Sequence, residues 1–400
     1  MMTDSTPPLD GLLVVDLTRV LSGPYCTMLL ADMGARVIKI EQPGRGDDTR
    51  GWGPPFVGEE SAYFLSINRN KESLTLDLKK PEARGILEQL LDRADILVEN
   101  FRPGAMERLG FGYDSVSVRW PRLVYCSISG FGQTGPRRDQ PGYDAVIQAE
   151  AGLMSITGES DGPPLRLGVA IADIATGMFA AQGISMALLA RARSGRGQLV
   201  DIGMLDSTVA LLTYQAANYF ATGRAPGRLG NRHPTIAPYE TFEAADGAFV
   251  LAVGNDDLWR RFCRVIELPD LADDPRFATN RARVRHYDEL KPQLDGRLRT
   301  RPRADWIALL NRERVPCGAV RDVAEVLNDP QLAAREMVQA VEHAALGTVR
   351  ALGVPIKLSS TPGTVRTAPP TLGQHTDQIL RTDLDLSDAD IARLRSAGVV

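Results

Sequence analysis

Apolar residues in the first third of the chain gather in short unbroken runs separated by longer, mixed stretches. Leu12-Leu13-Val14-Val15-Asp16-Leu17 is the first run and Arg36-Val37-Ile38-Lys39-Ile40-Glu41 the second. Runs of this length without alternation predict strands buried on both faces, as in a parallel sheet. Between them Ser22-Gly23-Pro24 opens a helix, with Pro at a permitted first position, and the helix runs to about Met33 before Gly34 stops it. The alternation continues with a strand at Leu74 to Leu78, a helix from Pro81 to Arg93, and strands at Ile96 to Glu99 and Leu123 to Ser127. Strands alternating with helices predict the α/β class. Ligands in such sheets sit outside the carboxyl ends of the strands, where this chain places long loops rich in Gly and Pro.

Asp173 stands out in the middle of the chain. A β-like apolar run, Leu167 to Ala172, precedes it, and a helical run with Ala175, Gly177, Ala180, Ala181 and Gly183 follows it to near Arg193. Small side chains predict a tightly buried helix. An Asp at a helix start has two compatible readings. It can cap the helix, accepting a bond from a free N–H of the first turn. It can also be a nucleophile, desolvated by apolar neighbours and kept ionised by the helix N-terminus. The residue alone does not choose.

Further on, Val200 to Met204 reads as a strand, about Leu205 to Ala221 as a helix, and Gly223 to Gly230 as a linker. The character then changes. Tyr239 to Val253 predicts a hairpin turning at Asp246-Gly247, and helices follow around Asp257 to Val265, Tyr287 to Thr300 and Arg303 to Glu313. This is a second, smaller α+β domain. From about Asn328 the chain is extended again, at Val338 to His343 and Thr348 to Leu352, and Ser387-Asp388-Ala389-Asp390 opens a final helix with capping-box spacing.

Composition narrows the function classes. The chain has 400 residues, 44% hydrophobic and 24% charged, with a net charge of -4. Those values suit a soluble globular protein and disfavour a nucleic-acid or anionic-membrane partner. The polar N-terminus, Met1 to Asp10, has no secretory-signal pattern, and no apolar run reads as membrane-spanning. Cys26, Cys126, Cys263 and Cys317 form no CxxC pair, which predicts free thiols in a reducing, cytoplasmic setting. His233, His286, His343 and His375 have no metal-ligand spacing, so no metal site is expected. Gly130-Phe131-Gly132-Gln133-Thr134-Gly135 fits GxGxxG, but Pro136 to Pro141 follows where the dinucleotide fingerprint needs a helix. It reads instead as a loop that closely approaches a ligand.

Several stretches together resemble class III CoA-transferases, the family that includes formyl-CoA transferases, carnitine CoA-transferases and α-methylacyl-CoA racemases. They are Asp16-Leu17-Thr18-Arg19-Val20-Leu21-Ser22-Gly23-Pro24, Gly34 to Glu41, Asn68-Arg69-Asn70-Lys71, Glu99-Asn100-Phe101-Arg102-Pro103-Gly104, Gly142-Tyr143-Asp144, and Asp173 with Thr176-Gly177-Met178. The resemblance runs from about residue 9 to the C-terminus. Its second half, from Tyr239 to Val400, looks most like the succinyl-CoA-dependent dicarboxylate branch.

The resemblance implies a Rossmann-like large domain with a parallel sheet, built from both chain ends, 1–223 and 328–400, around a small α+β domain at 224–327. It also implies an interlocked homodimer. At the position of Asp173 the family carries its catalytic aspartate, and Val20, Lys71, Asn100, Phe101, Arg108 and Tyr143 fall at or near its CoA site. Coenzyme A enters as a substrate, and no permanently bound cofactor is implied. The expected reaction moves CoA from an acyl-CoA, with succinyl-CoA a candidate donor, to a carboxylic acid through covalent intermediates on the aspartate. Leu21 and Gln42 stand where the formyl branch commonly carries Gln and Arg, which points away from formate and oxalate. His233 has two open readings, a contact to a substrate carboxylate or a structural loop residue. The first rival function is a racemase or epimerase, which needs an acid/base pair. That branch has His where this chain has Tyr143, and a phenol, ordinarily titrating at about 10, shuttles protons poorly near neutral pH. The second rival is a CoA-binding protein without catalysis, against which the retained Asp173 counts.

Overall fold

The computed structural model describes residues 6–400; Met1 to Ser5 of the polar N-terminus lie outside the described residues. Six strands form one parallel sheet: β1 (Leu13–Asp16), β2 (Arg36–Glu41), β3 (Lys71–Thr75), β4 (Ile96–Glu99), β5 (Val124–Ser129) and β6 (Leu199–Gly203). Their order is β3-β2-β1-β4-β5-β6, with every pairing parallel. This is the order of doubly wound nucleotide-binding sheets. The chain winds outward from β1 to β3 and restarts on the other side at β4. A crevice opens where the winding reverses, beyond the carboxyl ends of β1 and β4.

The unbroken apolar runs follow from burial on both faces. Val14, Val37, Ile96 and Val98 enter one core cluster with Cys26, Leu30, Ala180 and Ile184. Their alternates Val15, Ile38 and Leu97 enter another with Leu87 and Leu90. The C-terminal segment returns to this second cluster through Ile379, Leu380, Ile391 and Leu394.

Three helices frame the crevice: α1 (Ser22–Asp32), α2 (Asp144–Glu150) and α3 (Ile171–Ser194). The face of α3 with the small residues is tightly seated. A Cβ at Gly177 would lie 2.6 Å from the Ser22 carbonyl oxygen, and one at Gly183 would lie 2.7 Å from Val200 Cγ1. The other face leaves Met178, Phe179, Met186 and Leu189 exposed, so burial of this helix is one-sided. Against expectation, α3 is long and apolar enough to cross a membrane by length and composition. Its buried face carries Asp173 and Arg191, as suits a helix packed on a protein core.

Other expectations shift. The apolar run before Asp173 is no strand: helix starts at Ile171, and Leu167 and Val169 are exposed. Both sides of β5 are already taken by β4 and β6, and the Leu167 N–H is satisfied by Gln148 Oε1 at 2.9 Å. The strand expected at Leu74 to Leu78 begins at Lys71, because buried partners let polar Lys71 and Ser73 occupy it. The helix expected over Leu205 to Ala221 is broken into Met204–Val209, a 3-10 turn at Ala210–Leu212 and Thr213–Thr222, with Thr213 at φ 39°.

The chain divides into two compact units. One comprises the residues up to Leu153, Leu167–Tyr214 and Pro330–Val400; the other comprises Met154–Arg166 and Gln215–Asp329. These limits differ from 224–327 because residues 154–166 are tied to the loop at 228–230. Gly230 N–H donates to Gly158 O at 2.9 Å, and Arg228 reaches Glu159 O at 3.2 Å and Gly162 O at 2.7 Å. The smaller unit has three antiparallel strands, β7 (Tyr239–Ala244), β8 (Gly247–Ala252) and β9 (Cys317–Ala319), in the order β9-β8-β7. Its hairpin turns at Ala245-Asp246, one residue before the expected pair. Trp259, Phe262 and Trp306 fill its core. Among the described residues no group of His, Cys, Asp or Glu could hold a metal ion.

Candidate active site

The loop after β1 is fixed from below by buried charges. Asp16 accepts from Thr18 N–H at 2.8 Å, Thr18 Oγ1 at 2.5 Å, Thr27 Oγ1 at 2.6 Å and Lys71 Nζ at 3.3 Å. Lys39 Nζ donates to Thr18 O at 2.7 Å and pairs with Asp47 at 2.9 Å. The flanking ammonium groups of Lys71 and Lys39 overcome the burial penalty and hold Asp16 below the usual carboxylate range. Asp47 also takes the Val20 N–H, at 3.2 and 3.3 Å to its two oxygens. Val20 sits at φ 71°, a conformation unfavourable for a β-branched residue.

The loop after β4 is tied to the same segment. Asn100 uses both ends of its amide on the Arg19 backbone: Oδ1 accepts the N–H at 2.9 Å and Nδ2 donates to the carbonyl at 2.7 Å. Glu99 accepts from Phe101 N–H at 2.9 Å and from the Ser127 hydroxyl, which in turn accepts from Gln133 Nε2 at 2.8 Å. The glycine loop is thereby fastened to the loop carrying Phe101. Burial pushes the Glu99 carboxyl up to about 7.

Asp173 is in the first turn of α3 but does not cap it. Ala170 is at the cap position and makes no side-chain cap bond. Asp144, in the first turn of α2, accepts the Ala172 N–H at 2.9 Å instead. This corrects the capping reading and leaves the Asp173 carboxylate available. Burial, aided by the like charge of Asp144, pushes that carboxylate up to about 7, against the lowering influence of the Ser22 hydroxyl and N–H.

One cavity of about 160 Å³ is lined by Val20, Ser22, Asn100, Phe101, Ser129, Tyr143 and Asp173. Four of the six residues expected near CoA therefore meet the expected nucleophile. A second cavity of about 240 Å³ shares Arg19, Asp48 and Phe101 with it and adds Leu17, Ile40, Leu76, Leu78, Gln42, Arg45 and Lys79. It joins an apolar slot to charged residues of both signs, Arg45 and Lys79 beside Asp48 and Asp77. Leu17 and Ile40 fall in the resemblance stretches and Gln42 is singled out, but Leu76, Leu78, Arg45 and Lys79 escape the sequence reading as site residues. Their one signal is their place just beyond the carboxyl ends of β2 and β3.

Two expected contacts lie elsewhere. Arg108 lines a cavity of about 840 Å³ with Glu99, Arg102 and Arg138, which meets the Asp173 cavity only through Arg102 and Pro103. Lys71 lines neither the Asp173 cavity nor the Arg19 one. Its fully buried ammonium donates to Asp16, to Pro24 O at 2.9 Å and to Asn68 Oδ1 at 2.9 Å, and so supports the loop after β1 from within. His233 belongs to the smaller unit, where its ring stacks on Tyr239 with centroids 5.2 Å apart and its Nδ1 accepts from Thr235 N–H at 3.2 Å.

The family model described as CoA-transferase family III matches residues 9–376. Acetyl-CoA:oxalate CoA-transferase of Acetobacter aceti is 48% identical over 90% of this chain and 92% of its own length. Succinate–glutarate CoA-transferase of Agrobacterium fabrum is 44% identical, over 95% of this chain and 96% of its own. A CAIB/BAIF family protein from Brucella suis, known from its crystal structure, is 42% identical and superposes with a TM-score of 0.84, covering 94% of this chain and all of its own.

Proposed function

The chain belongs to CoA-transferase family III and is an enzyme of that class; from that premise we propose that it moves CoA between carboxylic acids through covalent intermediates on Asp173. The observation that carries the reading is a buried carboxylate, facing another carboxylate and raised to about 7, in a cavity at the sheet's reversal point. A raised carboxylate is more basic, hence more nucleophilic, than an ordinary one. Asp173 attacks the thioester carbonyl carbon, the C–S bond breaks, and an acyl-aspartyl anhydride and CoA thiolate result. The thiolate attacks the aspartyl carbonyl, giving an enzyme thioester and releasing the donor acid. The acceptor carboxylate runs the same steps in reverse. Burial keeps water from hydrolysing these intermediates.

Phe101, Val20 and Tyr143 line the reaction end of the CoA path, and the neighbouring cavity suits its nucleotide end. There Leu17, Ile40, Leu76 and Leu78 offer apolar cover for a base, and Arg45 and Lys79 offer charge for phosphates. The exposed Met178, Phe179, Met186 and Leu189 of α3 support a homodimer, which we take as interlocked, and the free thiols suit a cytoplasmic enzyme. A relative named for oxalate, at 48% identity, keeps oxalate beside the longer dicarboxylates as an acceptor.

Incubation with succinyl-CoA or acetyl-CoA and a panel of oxalate, glutarate and other acids, with mass detection of new acyl-CoAs, identifies the pair. Hydroxylamine should then trap an adduct that peptide mass spectrometry locates on Asp173. Transfer without any adduct there would defeat the covalent reading. Fast exchange of the α-proton of a 2-methylacyl-CoA in D₂O would favour the racemase instead.

A further inference from the structure

We propose that Ser129 is a catalytic residue, its hydroxyl donating a hydrogen bond to the acyl carbonyl oxygen under attack by Asp173. The inference rests on the nucleophile reading above. Ser129 is the last residue of β5 and lines the same cavity as Asp173. It is only 7% exposed, and its Oγ has no hydrogen-bond partner among the described residues. A buried hydroxyl left unpaired is costly, so folded proteins keep few of them. The other unpaired buried side-chain atoms among the described residues belong to Gln215, Trp259 and His343, none of which lines this cavity. Ser127, two residues back on the same strand, shows the contrast: its hydroxyl is engaged by Glu99 and Gln133.

The position suits the chemistry. The backbone of Ser129 is fixed by the β5–β6 ladder opposite Gly203, so the residue's place at the cavity is set before substrate arrives. When the Asp173 oxygen bonds to the thioester carbon, the carbonyl π pair moves onto oxygen. That oxyanion accepts the Ser129 O–H. Collapse restores the carbonyl and expels the thiolate, and Ser129 keeps its proton throughout. The same donor serves the last stage, when the thiolate attacks the acceptor's acyl carbonyl; the two stages between form on the Asp173 carboxyl carbon itself.

The test is quenched-flow mass spectrometry of adduct formation on Asp173, using succinyl-CoA or acetyl-CoA, whichever the wild type turns over. Loss of one such donor costs about 10²–10³-fold in rate. Ser129→Ala should therefore slow acylation by about 100-fold at saturating acyl-CoA, with KM changed far less. Its melting temperature should be equal or higher, because the variant removes an unpaired buried hydroxyl. Ser129→Cys, a weaker donor of similar shape, should fall between. Acylation of Ser129→Ala at the wild-type rate would overturn the proposal while leaving the nucleophile reading intact. So would a rate loss that Ser129→Cys does not share in part and that tracks a fall in melting temperature. A wild type that forms no adduct on Asp173 would instead defeat the nucleophile reading itself.

Discussion

Asp16 and Asp173 are buried carboxylates of the same unit, and their surroundings are opposite. Asp16 has donors on both oxygens and ammonium groups beside it, and it stays below the usual carboxylate range. Asp173 has the two donors of Ser22, and the charge acting on it is that of Asp144. A paired buried carboxylate fixes structure; one left short of compensation stores reactivity. The two sit on one path through the fold. The network under Asp16 places the loop that presents Val20 and Ser22, and Ser22 meets Asp173.

Substituting each carboxylate by its amide should separate these roles most sharply. Asp173→Asn should lower transfer by about 10⁴-fold or more, as when a nucleophile is lost. Its stability moves the other way. The folded pKa of Asp173 lies above the ordinary carboxylate value of about 3.9. The stability tied to its protonation is therefore full below that value and lost as pH rises through about 7. The Asn variant should thus melt at or above the wild type at pH 8, and no higher than it at pH 4. Asp16→Asn should do the reverse, losing about 3–5 kcal/mol at pH 7 because Lys71 and Lys39 are left poorly compensated. Urea titrations at both pH values check the pair. An Asp173→Asn variant that is active and unstable would collapse the contrast.

The next test narrows the cause of the Asp173 shift. Its ionisation should give kcat/KM of the free enzyme a limb near pH 7, with activity falling as the carboxylate is protonated. Asp144→Asn removes the like charge and keeps an oxygen for the Ala172 N–H. The limb should move to lower pH, and only part of the way, since burial is the larger cause. The lost bond from the buried Gln148 Nε2 to Asp144 Oδ2 should cost about 1–3 kcal/mol. A limb that stays in place would assign the shift to burial alone.

The sheet is legible in the sequence because strands covered on both faces write themselves as apolar runs, as at Val14-Val15 and Val37-Ile38. Lys71 misleads because a charge buried by pairing looks like any surface lysine in a sequence, so its strand is expected too late. Leu167 to Ala172 misleads in the other direction, since the exposed apolar Leu167 and Val169 ahead of the helix imitate a strand. Asp173, Asn100, Phe101, Tyr143 and Val20, singled out through their motifs, line one cavity. What those motifs do not show is direction: Asn100 turns its amide onto Arg19, and Asp144 rather than Asp173 caps α3. Ser129 gives no signal at all, because an unpaired hydroxyl is visible only once every neighbour has been placed.

The smallest effect is expected at Val20, the joint between the two carboxylates. Holding a β-branched residue at φ 71° costs about 1–3 kcal/mol, and glycine adopts that conformation freely. Val20→Gly relieves this strain. It also removes a side chain packed against Leu21, Met28 and Ile67, and it gives the unfolded chain more freedom. These terms oppose one another, so the stability at pH 7 should change by less than about 1 kcal/mol. The backbone bond to Asp47 survives the substitution, which keeps the loop near its place. What should change is the apolar wall of the cavity, so KM for acyl-CoA should rise by a few fold while kcat stays within about threefold. A large fall in kcat with KM unchanged would show that the Val20 side chain, and not only its backbone, is needed to place Ser22 against Asp173.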